Sequence, residues 1–367
     1  MPAFVVRRGD GAPAGGLVKA PVRRVLFTSS SRRGLGHLMR GLNIASALHR
    51  RDPAIEIGLL TRGAPPDGMV DARVVGSVRG AATAEEWSRA VEAFGPSLTV
   101  WDTLLPEQPP AAGSGRRHVF VMRGCRSERQ AELLARGDLR RFDRILVPHA
   151  ETELGCRLPA DLVARTRFVG PIVRTPRPEL HEPLRRRYRL KPGDFVLVST
   201  PGGGGFQKHA CDFLEAVRMA QEQLVLHIPR LRHVVVAGPR YRGPALDVAG
   251  CVFAGAEPEL VTLLGLASCV VAAGGYNTVH EIRANGVPAV FLPGERTHDD
   301  QAERVARLVQ AGLAVVASGS PERCSQTIVS TCLDAASLDR MRRRHRELPL
   351  EPGNDAAADE LLELLPC

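Results

Sequence analysis

Lysine is almost missing from this chain of 367 residues: it stands only at positions 19, 191 and 208, so arginine carries the cationic charge. Aromatic residues are scarce too, at 4%. Without rings interleaved with cations there is no stacking surface for single-stranded nucleic acid, which argues against nucleic acid as a partner. The eight cysteines form no CxxC pair and no metal-ligand spacing, and they read as reduced cytoplasmic thiols. No run approaches the ~20 apolar residues of a membrane span, and the N-terminus lacks the apolar core of a signal peptide. The cytoplasm is therefore the expected address, with peripheral attachment to a membrane left open.

What is present is an ordinary globular composition, 44% hydrophobic and 24% charged, with a net charge of +9. Arginine, alanine and glycine richness is what a GC-rich coding sequence produces. The functional alternative is attraction to phosphorylated substrates or anionic lipid. The length suits two domains of roughly 150 residues each.

Residues 1–20, rich in Gly, Ala and Pro, read as a flexible tail. From position 21 strands alternate with helices. "RRVLFTSS" is a strand, and a glycine-containing loop leads to a helix with Leu38, Leu42, Ala45 and Leu48 on one face. "AIEIGLLT", "SLTVWDT", "RHVFVMR" and "RILVPHA" are further strands. The proline-rich, charged stretch 171–192 reads as a linker between a domain over 21–170 and a second over 193–345. The alternation restarts with "FVLVSTPGGGG", "HVVVAGP" and "SCVVAAGGYNTVHEIRANGVPAVFLPG", and 346–367 ends in an amphipathic helix. The expected fold class is α/β, with two doubly wound Rossmann-like domains facing across a ligand cleft.

Three glycine-rich loops sit between a predicted strand and a predicted helix: Arg33–His37, Pro201–Gly205 and Ala273–Thr278. Glycine lets backbone approach a ligand, and a helix start offers free N–H groups to phosphate oxygens. A tight turn without a ligand is the plain alternative for any one of them. No lysine follows the glycines as in a phosphate loop, and no GxGxxG with an acidic partner is present, so kinases and dehydrogenases lose ground.

From Ala273 the chain reads "AGGYNTVHEIRANGVPAVFLPGERTHDDQAERVARLVQAGLAVV". The order GGxxTxxE, GxP, an apolar strand ending in Pro, then DQ and a helix resembles the donor-binding half of nucleotide-sugar glycosyltransferases of the two-domain GT-B fold. The style is that of family 28, which includes the peptidoglycan N-acetylglucosaminyltransferase. Gly36-His37 falls at the family's N-terminal glycine loop, and "VGPIVRT" resembles its G-x-P-V-R boundary, with Pro171 and Ile172 where Asn and Pro are usual. Gly203 and Gly204 fall in the glycine turn that opens its second domain. The likeness runs from about residue 22 to 345 and is least in the middle of the first domain.

The resemblance implies residue roles. Glu281 would accept hydrogen bonds from the donor's ribose hydroxyls, as a carboxylate can. Gly275, Tyr276, Asn277 and Thr278 would present helix amides to the diphosphate, with Arg174 adding a charge-assisted contact. Asp300 and Gln301 match the pair that reaches sugar or ribose hydroxyls, although "HDDQ" also reads as a helix cap by Asp299 or Asp300. Arg304 stands where Asn is common. The domain over 21–170 would face the acceptor and that over 193–345 the donor.

His37 is the expected general base of an inverting transfer, since histidine exchanges protons near neutrality. Asp102, ending "SLTVWD", resembles the aspartate that orients such a base; the plain alternative is a loop-capping carboxylate. No DxD metal motif is evident, so neither metal nor cofactor is expected. The donor is a nucleotide diphosphate sugar, with uridine favoured and thymidine the alternative. The acceptor is a small molecule or a lipid-linked one, because the loops 63–80 and 106–115 carry no signal. Three other readings stay open: a nucleotide-sugar hydrolase, which "GLGHLMRGLNIA" also resembles, a UDP-N-acetylglucosamine 2-epimerase, and a non-catalytic binder.

Overall fold

The computed structural model describes residues 23–29, 35–62, 65, 68–81, 83–103, 115–124, 127–295 and 300–366. The tail over 1–20, the Arg33–Gly34 part of the first glycine loop, Asp299, and parts of the loops 63–80 and 106–115 lie outside them.

The first domain holds strands β1 (Arg24–Ser29), β2 (Glu56–Thr61), β3 (Ser77–Gly80), β4 (Leu98–Asp102), β5 (Arg117–Val121), β6 (Arg144–Val147) and β7 (Thr166–Phe168). Its helices are α1 (Gly36–Arg51), α2 (Ala84–Phe94), α3 (Ser127–Ala135) and α4 (Ala160–Val163). All pairings are parallel, in the order β3-β2-β1-β4-β5-β6-β7. The inner strands are buried on both faces, which is why they read as continuous apolar runs.

The second domain has β8 (Phe195–Thr200), β9 (Leu231–Val236), β10 (Cys251–Ala254), β11 (Cys269–Ala272), β12 (Ala289–Phe291) and β13 (Ala314–Val316), in the parallel order β10-β9-β8-β11-β12-β13. Around them lie α5 (His181–Tyr188), α6 (Gln207–His227), α7 (Leu260–Leu264), α8 (Tyr276–Asn285), α9 (Gln301–Gln310), α10 (Pro321–Leu333) and α11 (Ala335–Glu347). Helix α5 lies inside the span expected as a linker, and its Leu184 and Tyr188 enter the second core.

Strand order reverses between β1 and β4 in the first sheet and between β8 and β11 in the second. The crevices beyond these carboxyl ends are the places where doubly wound sheets hold ligands. All three glycine loops begin there, after β1, β8 and β11.

The chain crosses between the domains twice. The strands of chain near Gly170 and Gly353 pass in backbone contact, and a Cβ on Gly353 would fall 1.9 Å from the Val169 carbonyl oxygen. Asn354 clasps the crossing by accepting from Val173 N at 2.9 Å and donating to Val173 O at 2.6 Å. The last helix, α12 (Asn354–Leu362), then returns to the first domain. There Ala357, Ala358 and Leu361 complete the core with Leu38, Leu42 and Leu48 of α1. Arg50 and Arg51, in the last turn of α1, pair with Asp355 and Asp359 at 2.9 and 3.1 Å.

Candidate functional site

The first half of the site stands at the β1/β4 reversal. Helix α1 starts at Gly36 with no side-chain cap from Leu35, and among the described residues nothing lies within 4 Å of a Cβ placed on Gly36. One residue on, His37 Nδ1 lies 2.8 Å from Asp102 Oδ1. A carboxylate only accepts hydrogen bonds, so in the neutral ring this geometry puts the proton on Nδ1 and the lone pair on Nε2. The side chain of Asp102 is 3% exposed and that of His37 is 20% exposed, so the imidazole alone has a way out.

Two residues not anticipated from sequence complete this half. Arg40, one helical turn after His37, donates from Nε to Asp102 Oδ2 at 2.8 Å and from Nη2 to Oδ1 at 2.6 Å. Thr103 donates its hydroxyl to Oδ1 at 2.7 Å and holds φ at +60°, a strained backbone for a β-branched residue. Burial by itself pushes the Asp102 carboxyl up, but the Arg40 charge and the hydrogen bonds from His37 and Arg40 outweigh it and hold the group well below the ordinary carboxylate range. The spacing of three from His37 to Arg40 was visible in the sequence, but nothing there distinguished Arg40 from a solvated helix cation.

The second half is built largely from backbone. Gly204 and Gly238 have φ of +72° and +93°; a Cβ at Gly238 would lie 2.2 Å from the Gly202 carbonyl oxygen. The loop over 202–204 thus rests directly on the Gly238 backbone, and Arg240 N donates to Gly203 O at 3.1 Å. A Cβ on Gly203 would sit 3.8 Å from Leu35, so this loop also lies against the start of α1. Helix α8 begins after Gly275 with no side-chain cap, and the space beside Gly275 is open. Its first-turn amides face the start of α1, where Asn277 Nδ2 donates to Gly36 O at 3.5 Å. Asn277 Oδ1 is buried and finds no hydrogen-bond partner among the described residues. Thr278 is buried beside it.

Glu281 is buried on α8, and none of the described residues hydrogen-bonds its carboxylate. Burial pushes its carboxyl up to about 7, against the pull of the Arg174 charge. Arg174 is itself committed: it donates to Glu259 at 3.0 Å and to the Pro258 carbonyl. Asp300 caps α9 through Glu303 N at 2.8 Å, and Gln301 accepts from Gly294 N at 3.0 Å. Arg304 donates to Gly274 O at 2.8 Å and lies over the Tyr276 ring. The structure therefore brings Gly36 against Asn277 and Leu35 against Gly203, with Arg40, which grips Asp102 beside His37, under the Tyr276 ring, while Arg174, Asp300 and Gln301 are engaged elsewhere. A cavity of about 390 Å³ lies beyond the ends of β9 and β10, lined by Gly238, Tyr241, Arg242, Gly255 and Pro258 and, from the first domain, by Met69.

No protein-family model matches the chain. A stretch of 100 residues, 26% of this chain, is 35% identical to the UDP-N-acetylglucosamine–N-acetylmuramyl-(pentapeptide) pyrophosphoryl-undecaprenol N-acetylglucosamine transferase of Paenarthrobacter aurescens (strain TC1). The match spans about a quarter of that relative, 27% of its length. Among solved structures, a UDP-glucosyltransferase from Polygonum tinctorium capable of glucosylating indoxyl overlays 95% of this chain and 99% of its own, with a TM-score of 0.64 at 13% identity. A Listeria monocytogenes protein described as a UDP-N-acetylglucosamine 2-epimerase overlays 94% of this chain and 95% of its own, with a TM-score of 0.59 at 12% identity. The chain has the GT-B fold, as its sequence motifs led one to expect.

Proposed function

We propose that the protein is an inverting, metal-independent glycosyltransferase that moves a sugar from a nucleotide diphosphate sugar to an acceptor hydroxyl or another nucleophile. The observation that carries this reading is the His37–Asp102 hydrogen bond, set at one topological switch point and facing the uncapped start of α8 at the other. The acceptor hydroxyl attacks the anomeric carbon as its proton passes to His37 Nε2, and the nucleotide diphosphate leaves from the opposite face. The first-turn amides of α8 meet the negative charge that grows on the leaving diphosphate. Glu281, with its oxygens unclaimed, takes the ribose hydroxyls, and the 390 Å³ cavity receives the base. UDP is the favoured nucleotide, since the relative and the plant neighbour are UDP-sugar enzymes by name; dTDP is the alternative. A small-molecule acceptor and a lipid-linked one both suit the arrangement. Among the described residues no helix is long and apolar enough to cross a membrane.

The same dyad would activate water, which makes hydrolysis of the nucleotide sugar the second reading. It is favoured by the resemblance of "GLGHLMRGLNIA" to the opening motif of nucleotide-sugar hydrolases on this scaffold. Calorimetry with UDP, dTDP and GDP, followed by nucleotide-sugar incubations with and without acceptor, tests both. Sugar release that requires an acceptor and is lost in His37→Ala is expected. Fast release to water alone would move the assignment to the hydrolase, and failure to bind any nucleotide would defeat both.

A further inference from the structure

A buried carboxylate needs a positive partner, and Asp102 has two candidates. Arg40 grips both of its oxygens, and the arginine side chain is 1% exposed. His37 reaches one oxygen only and is the more exposed of the two. A guanidinium is always charged and its planar fork matches a carboxylate, so Arg40 takes the role of counter-ion. The carboxylate then asks a hydrogen bond of the imidazole and no charge. Arg40 Nη2 stands 3.5 Å from His37 Nδ1, where a second cation would be repelled.

Arg40 is in turn held from the opposite domain. The Tyr276 ring, at the start of α8, lies 5.2 Å from its guanidinium carbon, within range of a cation–π contact. That ring is fixed by its hydroxyl, which donates to Pro148 O at 2.5 Å and accepts from Ile172 N at 3.1 Å. The residue that opens the helix facing the leaving group thus also roofs the arginine beneath the base.

The geometry points to Arg40 as a positioning residue that carries the counter-charge of Asp102 and so leaves His37 in its proton-accepting form, with Tyr276 as the lid that keeps Arg40 seated. The inference rests on the reading of His37 as the base. It makes the dyad complete only while the two domains are together. Opening the seam at Tyr276 wets the guanidinium, weakens its hold on the carboxylate, and passes the counter-charge to the imidazole, which can then accept no proton.

The test is long-range ¹H–¹⁵N NMR of histidine-labelled full-length protein at neutral pH without substrate, with His37→Gln locating the His37 signals. Wild type should give a neutral His37 ring with its proton on Nδ1. Arg40→Met should convert it to the doubly protonated ring, Arg40→Lys less completely, and Tyr276→Leu partly, by uncovering Arg40. In parallel, the acid limb of the pH–rate profile for nucleotide-sugar turnover should move up by roughly one pH unit or more in Arg40→Met. A merely structural arginine would lower the rate equally at every pH. A neutral Nδ1–H ring in Arg40→Met with an unmoved profile overturns the inference, as does a wild-type ring already doubly protonated. If Arg40→Met does not fold, the wild-type pattern in both Arg40→Lys and Tyr276→Leu overturns it. Turnover that survives in His37→Gln while the NMR pattern is as expected would refute the transferase mechanism and leave the charge assignment standing.

Discussion

The two halves of the site are organised by different physics. The first-domain half is a knot of polar side chains around one ion pair, in which Arg40, Asp102, His37 and Thr103 satisfy one another within a few ångströms. The second-domain half has little side-chain chemistry of its own and is shaped by backbone that passes too close for any Cβ. Side-chain charge can be tuned by single substitutions and shifts proton equilibria. Backbone contact has no intermediate settings, so it would fix where the diphosphate of the proposed donor lies. The contrast predicts a base whose loss is read in turnover and a donor cradle whose loss is read in nucleotide binding.

The largest expected effect lies in the first half. His37→Ala should lower kcat by ~10²–10⁴ while leaving UDP affinity within a few fold. Steady-state kinetics beside calorimetry checks the split, and equal losses in both would erase the distinction between the halves. Removing the carboxylate instead, in Asp102→Ala, strands the buried Arg40 and should cost about 3–5 kcal/mol of stability, seen in a urea melt. Next comes the cradle. Gly238→Ala places a methyl against the Gly202 carbonyl at a φ of +93°, and a loss of about 2–4 kcal/mol together with nucleotide binding is expected.

Glu281 gives a smaller, pH-dependent effect, with a sign that follows from its burial. The folded protein keeps this carboxyl protonated up to about 7, while the unfolded chain ionises near ~4.3. Between those values the folded state binds more protons, so this group's contribution is fully present below the lower value and is lost as pH rises through about 7. Ribose hydroxyls stabilise the ionised form, so UDP affinity should rise with pH across the same window, and Glu281→Gln should flatten both trends. A UDP affinity independent of pH in the wild type would take Glu281 out of the ribose site. The smallest effect is expected from Thr103→Gly, which relieves a backbone φ of +60° and removes one of the hydrogen bonds to Asp102. Stability should change by less than ~1 kcal/mol, and turnover should fall less than in any variant above.

The fold was legible in the sequence wherever a strand is buried on both faces. β1, β2, β4, β5 and β6 of the first sheet and β8, β9, β11 and β12 of the second all lie inside their sheets. The four strands that escaped the reading, β3, β7, β10 and β13, are the four sheet edges. An edge strand here is three or four residues long and half-exposed, too short to announce a period. In the site, His37 and Asp102 could be named because they fall where the resembled glycosyltransferases carry a glycine-loop histidine and an orienting aspartate at a strand end. Arg40 could not, because the partner that gives it meaning is at position 102. Arg174 shows the same limit from the other side: it reads as an open anion ligand until Glu259, far along the chain, is seen to occupy it. The Tyr276 backbone was foreseen at the helix start, but its hydroxyl binds Pro148 and Ile172 across the domain seam, a contact that leaves no local trace.

The return of α12 onto α1 has a consequence for how the protein is made. Ala357, Ala358 and Leu361 belong to the same core as Phe27 and Leu98, yet the ribosome delivers them after the whole second domain. The first domain therefore emerges with one flank of its apolar core uncovered and stays so throughout synthesis of its neighbour. Domains ordinarily fold in the order in which they appear; here the earlier one is finished last. During that interval the exposed face of α1 is a surface for chaperones, and substitutions in α12 would register as lost yield during expression before they register as lost activity.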